Sequence, residues 1–166
     1  MDNAEFKKGS RKFSYRVAGL CVHDGYALLH RAETDNFWAL PGGRCHIGEP
    51  SDQAIERELH EELGITIRAT RLLWFVESFF GNTIEQVHQL ACYYLFELPA
   101  GAPLLAKDQI HTGIEEDDLK LIFRWFPYSE LPATRLYPTF LHTEIPNLPE
   151  VPTHLIHYDE DDEAES

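Results

Sequence analysis

The sequence predicts an α/β fold in a single domain. Three observations carry that expectation. One segment has strong helical periodicity, runs of β-branched and aromatic residues stand on both sides of it, and a length of 166 residues suits one core. Hydrophobic residues are 43% and charged residues 25% of the chain, ordinary values for a soluble domain, so disorder is not its main state.

Residues 1–13 are polar and read as a flexible lead-in, residues 14–157 as the domain, and residues 158–166 as an acidic disordered tail. Residues 14–22 read as a strand, His23-Asp24-Gly25 as a tight turn, and residues 26–31 as the returning strand. Asp35-Asn36 marks another turn. Residues 37–40 are short and apolar, and Pro41-Gly42-Gly43 interrupts them. The helix follows, with Ser51 as its N-cap, Asp52 in the first turn, and Ile55, Leu59 and Leu63 recurring every four residues. Gly64 stands where a left-handed C-cap is expected. Residues 65–80 carry one or two strands, residues 87–98 a strong strand, residues 99–113 a loop, and residues 120–126 a further strand. Short helices are expected at residues 127–131 and 137–144, and a proline-punctuated extended run at residues 146–152. Trp74, Phe75, Phe79 and Phe80 are core by default, with one of them available to stack on a base. His88 and Gln89 are set facing a cleft.

Charge and cysteine content exclude some classes. The net charge of −14 argues against duplex nucleic acid or anionic membrane as a partner through bulk electrostatics. A small anionic ligand would need a cation or a few placed arginines. No apolar run approaches a membrane span, and the N-terminus lacks a signal-peptide pattern. Three widely spaced cysteines, Cys21, Cys45 and Cys92, do not form a disulfide framework and fit a reducing cytoplasm. Adjacent Cys45 and His46 suit a shared zinc poorly, because neighbours rarely occupy one tetrahedron.

The chemistry concentrates at residues 43–65. Glu58, Glu61 and Glu62 stand at i, i+3 and i+4, so they share one helix face. At about 100° per residue, that face is roughly 100° from the Ile55–Leu59–Leu63 stripe. One side therefore packs while another presents three carboxylates. Like charges at this spacing repel, and a bound divalent cation removes the repulsion. All-oxygen ligands suit Mg²⁺ or Mn²⁺, which are often held by carboxylates together with substrate phosphates. Arg57 flanks the acidic face, and a Glu49–Arg57 ion pair would tie the preceding loop to the helix. Arg44, just after the double glycine, is placed to reach a phosphate.

This segment resembles the Nudix box, Gly-x5-Glu-x7-Arg-Glu-U-x-Glu-Glu-x-Gly-U, where U is bulky and aliphatic. Gly43, Glu49, Arg57, Glu58, Leu59, Glu61, Glu62, Gly64 and Ile65 all match. A chance match in one register is on the order of 10⁻⁹ at average composition, so the motif is specific. The resemblance implies an α/β/α sandwich on a mixed sheet and a Mg²⁺-dependent hydrolase, with Mn²⁺ as the substitute metal. Its substrate would be a small nucleoside diphosphate derivative, with ADP-ribose or another nucleotide sugar and a nucleoside triphosphate as the two leading classes. By carry-over, Gly42, Glu58, Glu61 and Glu62 hold the metal. Glu61, Glu62, Arg57 and Glu49 form the catalytic set, and Arg44 contacts substrate. The general base comes from the box or from Glu115 or Glu116. The family's members are often homodimers, although no stripe here identifies an interface. A different class remains as the alternative, a nucleotide-binding regulator with this fold and little turnover.

Overall fold

The computed structural model describes residues 2–114 and 118–159. The chain opens with β1 (Glu5–Lys8), β2 (Arg11–Leu20), β3 (Val22–His23), β4 (Tyr26–Ala32) and β5 (Gly42–Arg44). Helix α1 (Ser51–Leu63) follows, then β6 (Ala69–Gly81), β7 (Gln86–Phe96), β8 (His111–Ile114) and β9 (Lys120–Pro127). After α2 (Leu141–Glu144), β10 (Thr153–Tyr158) ends the described chain. Three 3₁₀ turns, at Pro103–Leu105, Tyr128–Ala133 and Ile145–Asn147, connect these elements.

The larger sheet runs β1-β2-β7-β6-β10, with β5 added to β2. It is mixed, since β2 pairs parallel with β7 and β10 parallel with β6, while its other pairs are antiparallel. The smaller sheet runs β3-β4-β9-β8. Alternation along β7 shows how the larger sheet is covered. Cys92 and Phe96 pack with Ala54, Ile55 and Leu59 of α1, whereas Ala91 and Tyr93 pack with Leu131, Leu141 and Ile145 on the opposite face. The result is an α/β/α sandwich with a buried sheet, as the box resemblance implies. Among the described residues, no helix is long and apolar enough to cross a membrane.

Several local expectations are corrected or sharpened. The segment read as a flexible lead-in forms β1 and the start of β2, in register from Glu5–Ser14 to Lys8–Arg11. Its polar residues concealed a strand because its side chains are largely exposed. Ser51 does not cap α1. Pro50 is the cap residue, and the Ser51 hydroxyl instead meets the Tyr94 hydroxyl at 2.7 Å. Residues 69–81 form one long strand with two irregularities in its pairing to β7. The proline run at residues 146–152 leads into β10, whose alternating pattern of half-buried and exposed residues is weak as a sequence signal. Of the proposed acidic tail, Tyr158 ends β10, and the Asp159 amide donates to the Phe79 carbonyl at 3.2 Å. Residues 160–166 lie outside the described residues.

Candidate active site

Helix α1 ends where its sequence requires. Gly64 adopts φ 68°, and its amide donates to the His60 carbonyl at 2.8 Å. Ile55 and Leu59 are fully buried against the sheet. That anchoring turns the glutamate face toward β5. Glu58, Glu61 and Glu62 line a cavity of about 660 Å³ together with Gly42, Gly43 and Arg44. Asn3, Arg16, His46 and Ile114 complete its wall.

Arg57 organises the acidic groups. Its Nε donates to Glu49 Oε1 at 2.7 Å and its Nη2 to Glu49 Oε2 at 3.1 Å. Its Nη1 donates to Glu58 at 3.0 Å and to Glu61 at 3.1 Å, and its Nη2 reaches the Arg44 carbonyl at 2.9 Å. Glu49 also accepts from the His46 amide at 2.9 Å. One guanidinium thus joins the loop, β5 and the helix. Glu49 stands behind Arg57 and does not line the cavity, so its contact with Arg57 is a positioning one.

The two glutamates nearest Arg57 respond in opposite ways. Burial alone would raise the Glu49 carboxyl, but hydrogen bonds from Arg57 and the His46 amide outweigh it and hold its pKa below the usual range. For Glu58 burial prevails over the Arg57 charge, and the pKa rises. Glu58 rests against Gly43, where an added Cβ would lie 2.2 Å from its carboxyl carbon. Only glycine leaves room for that carboxylate. Glu62 is 6% exposed, and its Oε2 lies 4.0 Å from His30 Nδ1. Burial, assisted by the charge of Arg16, lowers His30 to about 4, so His30 is neutral at pH 7 and supplies no full positive charge there.

The donor set has the right chemistry for a hard divalent cation, with three carboxylates on one wall and a pocket that glycine opens for Glu58. Among the described residues, no three His, Cys, Asp or Glu side chains already converge as a metal-holding group. Arg57 takes up Glu58 and Glu61 instead, and Glu61, whose side chain is 43% exposed, has the most room to turn. Arg44 lines the cavity with its Nε 3.2 Å from Glu5. Burial, the largest influence, pushes the Cys45 thiol up to about 12. Glu115 and Glu116 lie outside the described residues, although Ile114 just before them reaches the cavity wall.

A second cavity of about 480 Å³ opens beside the first, and Arg16 and Gly42 border both. Phe37, Leu40, Phe80, Ala91, Tyr93 and Tyr137 make it largely apolar, with Asn36, Ser78, Gln89, Arg135 and Asp159 as polar members. Phe37 and Tyr137 meet edge to face, 5.6 Å between ring centroids. Gln89 therefore faces a cavity, but His88 points to the other side of the sheet, stacked on Phe79 at 4.5 Å. Trp74 is core, while Phe80 is the aromatic of its group that borders this cavity. Arg16 and Asn3 were not legible as site residues, because their placement depends on which face of β2 is covered and on β1 forming at all.

Similarity to known proteins agrees with this geometry. The NUDIX domain family model matches residues 14–143. The RNA pyrophosphohydrolase of Tolumonas auensis is 26% identical over 149 residues, covering 80% of this chain and 86% of that protein. The crystal structure of a MutT NUDIX hydrolase from Burkholderia pseudomallei superposes with a TM-score of 0.56 at 26% identity, covering 80% of this chain and 96% of that one. A mutator MutT protein from Bacillus halodurans shares the fold alone, with a TM-score of 0.60 at 18% identity over 89% of this chain and 92% of its own. With the matched region spanning both the box and the sheet that positions it, the chain belongs to the Nudix hydrolase family.

Proposed function

We propose that this Nudix hydrolase cleaves a phosphoanhydride bond in a nucleoside 5′-diphosphate derivative or 5′-polyphosphate, with Mg²⁺ as its metal and Mn²⁺ as a substitute. The observation that carries the reading is the meeting of two cavities at Arg16 and Gly42. One presents three glutamates and the other an apolar, aromatic-edged hollow. A polyphosphate and the nucleoside attached to it need those two environments side by side.

Glu58, Glu61, Glu62 and the Gly42 carbonyl are the groups that would hold the metal. When bound, such an ion neutralises phosphate charge and lowers the pKa of a coordinated water. The chain's own residues supply the rest. Arg57, braced by Glu49, fixes the rotamers of Glu58 and Glu61. Arg44 and Arg16 offer positive charge to the phosphate oxygens, where transfer depends mostly on positioning and electrostatics. A box glutamate takes the proton from the attacking water. In the balanced reaction, water adds to phosphorus, the anhydride P–O bond breaks, and the two phosphate products share the released protons.

The test is hydrolysis of ADP-ribose, nucleotide sugars, nucleoside triphosphates and 5′-triphosphorylated RNA with Mg²⁺, read by product chromatography. Glu62→Gln should lower turnover by at least roughly 10²-fold while the protein stays folded, as for loss of one transition-state partner. Full activity in Glu62→Gln removes the metal assignment. Ligand binding without product in any arm supports the regulator alternative.

A further inference from the structure

The three carboxylates of the cavity are held in different ways. Arg57 donates to Glu58 and to Glu61 from their own helix. Glu62 lies deeper, its side chain 4% exposed against 43% for Glu61. The smaller sheet closes over it. His30 on β4 pairs with Phe123 on β9, and Phe123 pairs with His111 on β8. Gly113 stands two residues further along β8. A Cβ there would lie 2.5 Å from the Glu62 carbonyl oxygen and 2.9 Å from the Phe123 ring, so only glycine lets β8 approach the end of α1 this closely.

His30 completes that wall. Its ring packs on Phe123, 5.4 Å between centroids, and its Nδ1 stands 4.0 Å from Glu62 Oε2. His30 Nδ1 is a buried atom with no hydrogen-bond partner among the described residues. A buried polar atom in that state costs free energy until a partner meets it. Closing about 1 Å brings it to the ~2.8 Å of a hydrogen bond from N–H to a carboxylate. The backbone of the same residue is fixed elsewhere. The His30 amide donates to the Ala39 carbonyl and the Ala39 amide to the His30 carbonyl, both at 2.9 Å. Ala39 leads through Leu40 and Pro41 to Gly42. His30 therefore stands between the Glu62 carboxylate and the segment that delivers the Gly42 carbonyl. It is not one of the residues lining the cavity, so any effect on the site passes through Glu62.

We propose that His30 is a positioning residue for Glu62, its proton held on Nδ1 and donated as a hydrogen bond to the Glu62 carboxylate. Arg57 then orients Glu58 and Glu61, and His30 orients Glu62 from the opposite wall. The two devices differ in charge. A guanidinium competes with a cation for the carboxylates it holds, whereas a neutral imidazole fixes the direction of a carboxylate and leaves its charge to the cation. Carboxylates that ligate a metal are commonly held by hydrogen bonds from outside the site, and the partner of one ring nitrogen decides which nitrogen of a histidine carries the proton. The role of Glu62 as a metal ligand rests on the hydrolase reading; the contact between His30 and Glu62 does not.

The test starts with the metal-free protein. Nitrogen-15 NMR of the histidine rings should show the His30 proton on Nδ1, and a proton on Nε2 overturns the proposal. Binding of Mn²⁺ alone, followed through the EPR signal of the free ion, is the second readout. His30→Leu removes the donor and should weaken Mn²⁺ about 10- to 100-fold, whereas His30→Asn, whose amide nitrogen takes the place of Nδ1, should stay within about threefold of the parent protein. Placed in Glu62→Gln, His30→Leu should add almost nothing, because the carboxylate it serves has gone. Where Glu62→Gln weakens Mn²⁺, three results overturn the proposal: unaltered affinity in His30→Leu, an Asn variant as weak as the Leu one, or an equal loss in both backgrounds. The last two would mark His30 as packing alone. If Glu62→Gln leaves Mn²⁺ affinity unchanged, the metal assignment falls, and the position of the ring proton decides the His30 contact by itself. Turnover enters neither readout, so its absence counts against the hydrolase reading alone.

Discussion

The carboxylate cavity and the apolar cavity meet at two residues but are built in different ways. The first draws its three glutamates and Arg57 from two turns of one helix. The second takes its lining from β2, β6, β7, the 36–42 segment, the 135–138 segment and Asp159. Chemistry that depends on spacing within a helix is carried by a local pattern. Chemistry that depends on shape is carried by strand register and by loops that pack only when the whole sheet is formed. The local site is also the more strained of the two electrostatically, since several carboxylates share one guanidinium.

The comparison can be broken most sharply at Gly43. Gly43→Ala should displace the Glu58 carboxylate and lower turnover roughly 10²-fold, the order expected when a reacting group is misplaced by about an ångström. The melting temperature should barely change, because the displaced atoms are the end of a flexible side chain. A large drop in thermal stability would show that Gly43 serves the backbone and not the site.

Arg57→Ala should cost about 2 kcal/mol in urea denaturation, below the roughly 3–5 kcal/mol of a fully buried broken pair because its side chain is 21% exposed. Its turnover should fall too, as Glu58 and Glu61 lose their common partner. Unchanged stability would mean that the loop and helix hold together without the guanidinium.

The pH profile of stability sharpens the contrast within the Arg57 cluster. Glu49 has a depressed folded pKa, so it stabilises the fold above its unfolded pKa, and that contribution fades as pH falls through the folded value. Glu58 has a raised pKa and acts in the opposite sense, destabilising the fold once ionised. Glu49→Gln should therefore flatten the loss of stability on acidification, and Glu58→Gln should stabilise the protein at neutral pH. Chemical denaturation at a series of pH values checks both signs.

The smallest effect belongs to the apparent helix cap. Ser51→Ala should cost about 1 kcal/mol, the worth of one hydrogen bond to Tyr94. Tyr94→Phe in the same background should add almost nothing, since one bond has already gone. Additive losses would return Ser51 to a capping role.

Legibility followed the range of the interactions. The helix, its glycine stop and its glutamate face could be read because 3.6-residue periodicity and i, i+3, i+4 spacing are properties of adjacent sequence. The strong strand at β7 and the turn before β4 were legible for the same reason. The strand β1 was not, because exposed Lys and Glu pairs carry no apolar alternation. Nor was the loss of Ser51 as a cap, since its partner is 43 residues away. Glu49 and Arg57 could be named as partners from their spacing. That Glu49 would sit behind Arg57, while Arg16 and Asn3 formed the cavity wall, could not.

By itself the sequence determined the family, the helix that bears the carboxylates and the chemistry those residues can support, because the box fixes residue types at positions one helix brings together. The tertiary structure alone decided what lies beside that helix. It set Arg16 between two cavities and buried the Ser78 hydroxyl at the edge of one of them. Those placements come from parallel pairing of β2 with β7 and from a sheet buried on both faces, which join residues more than 70 positions apart. Short-range order can be written in a motif, but long-range register exists only once the core has chosen which face of each strand to bury.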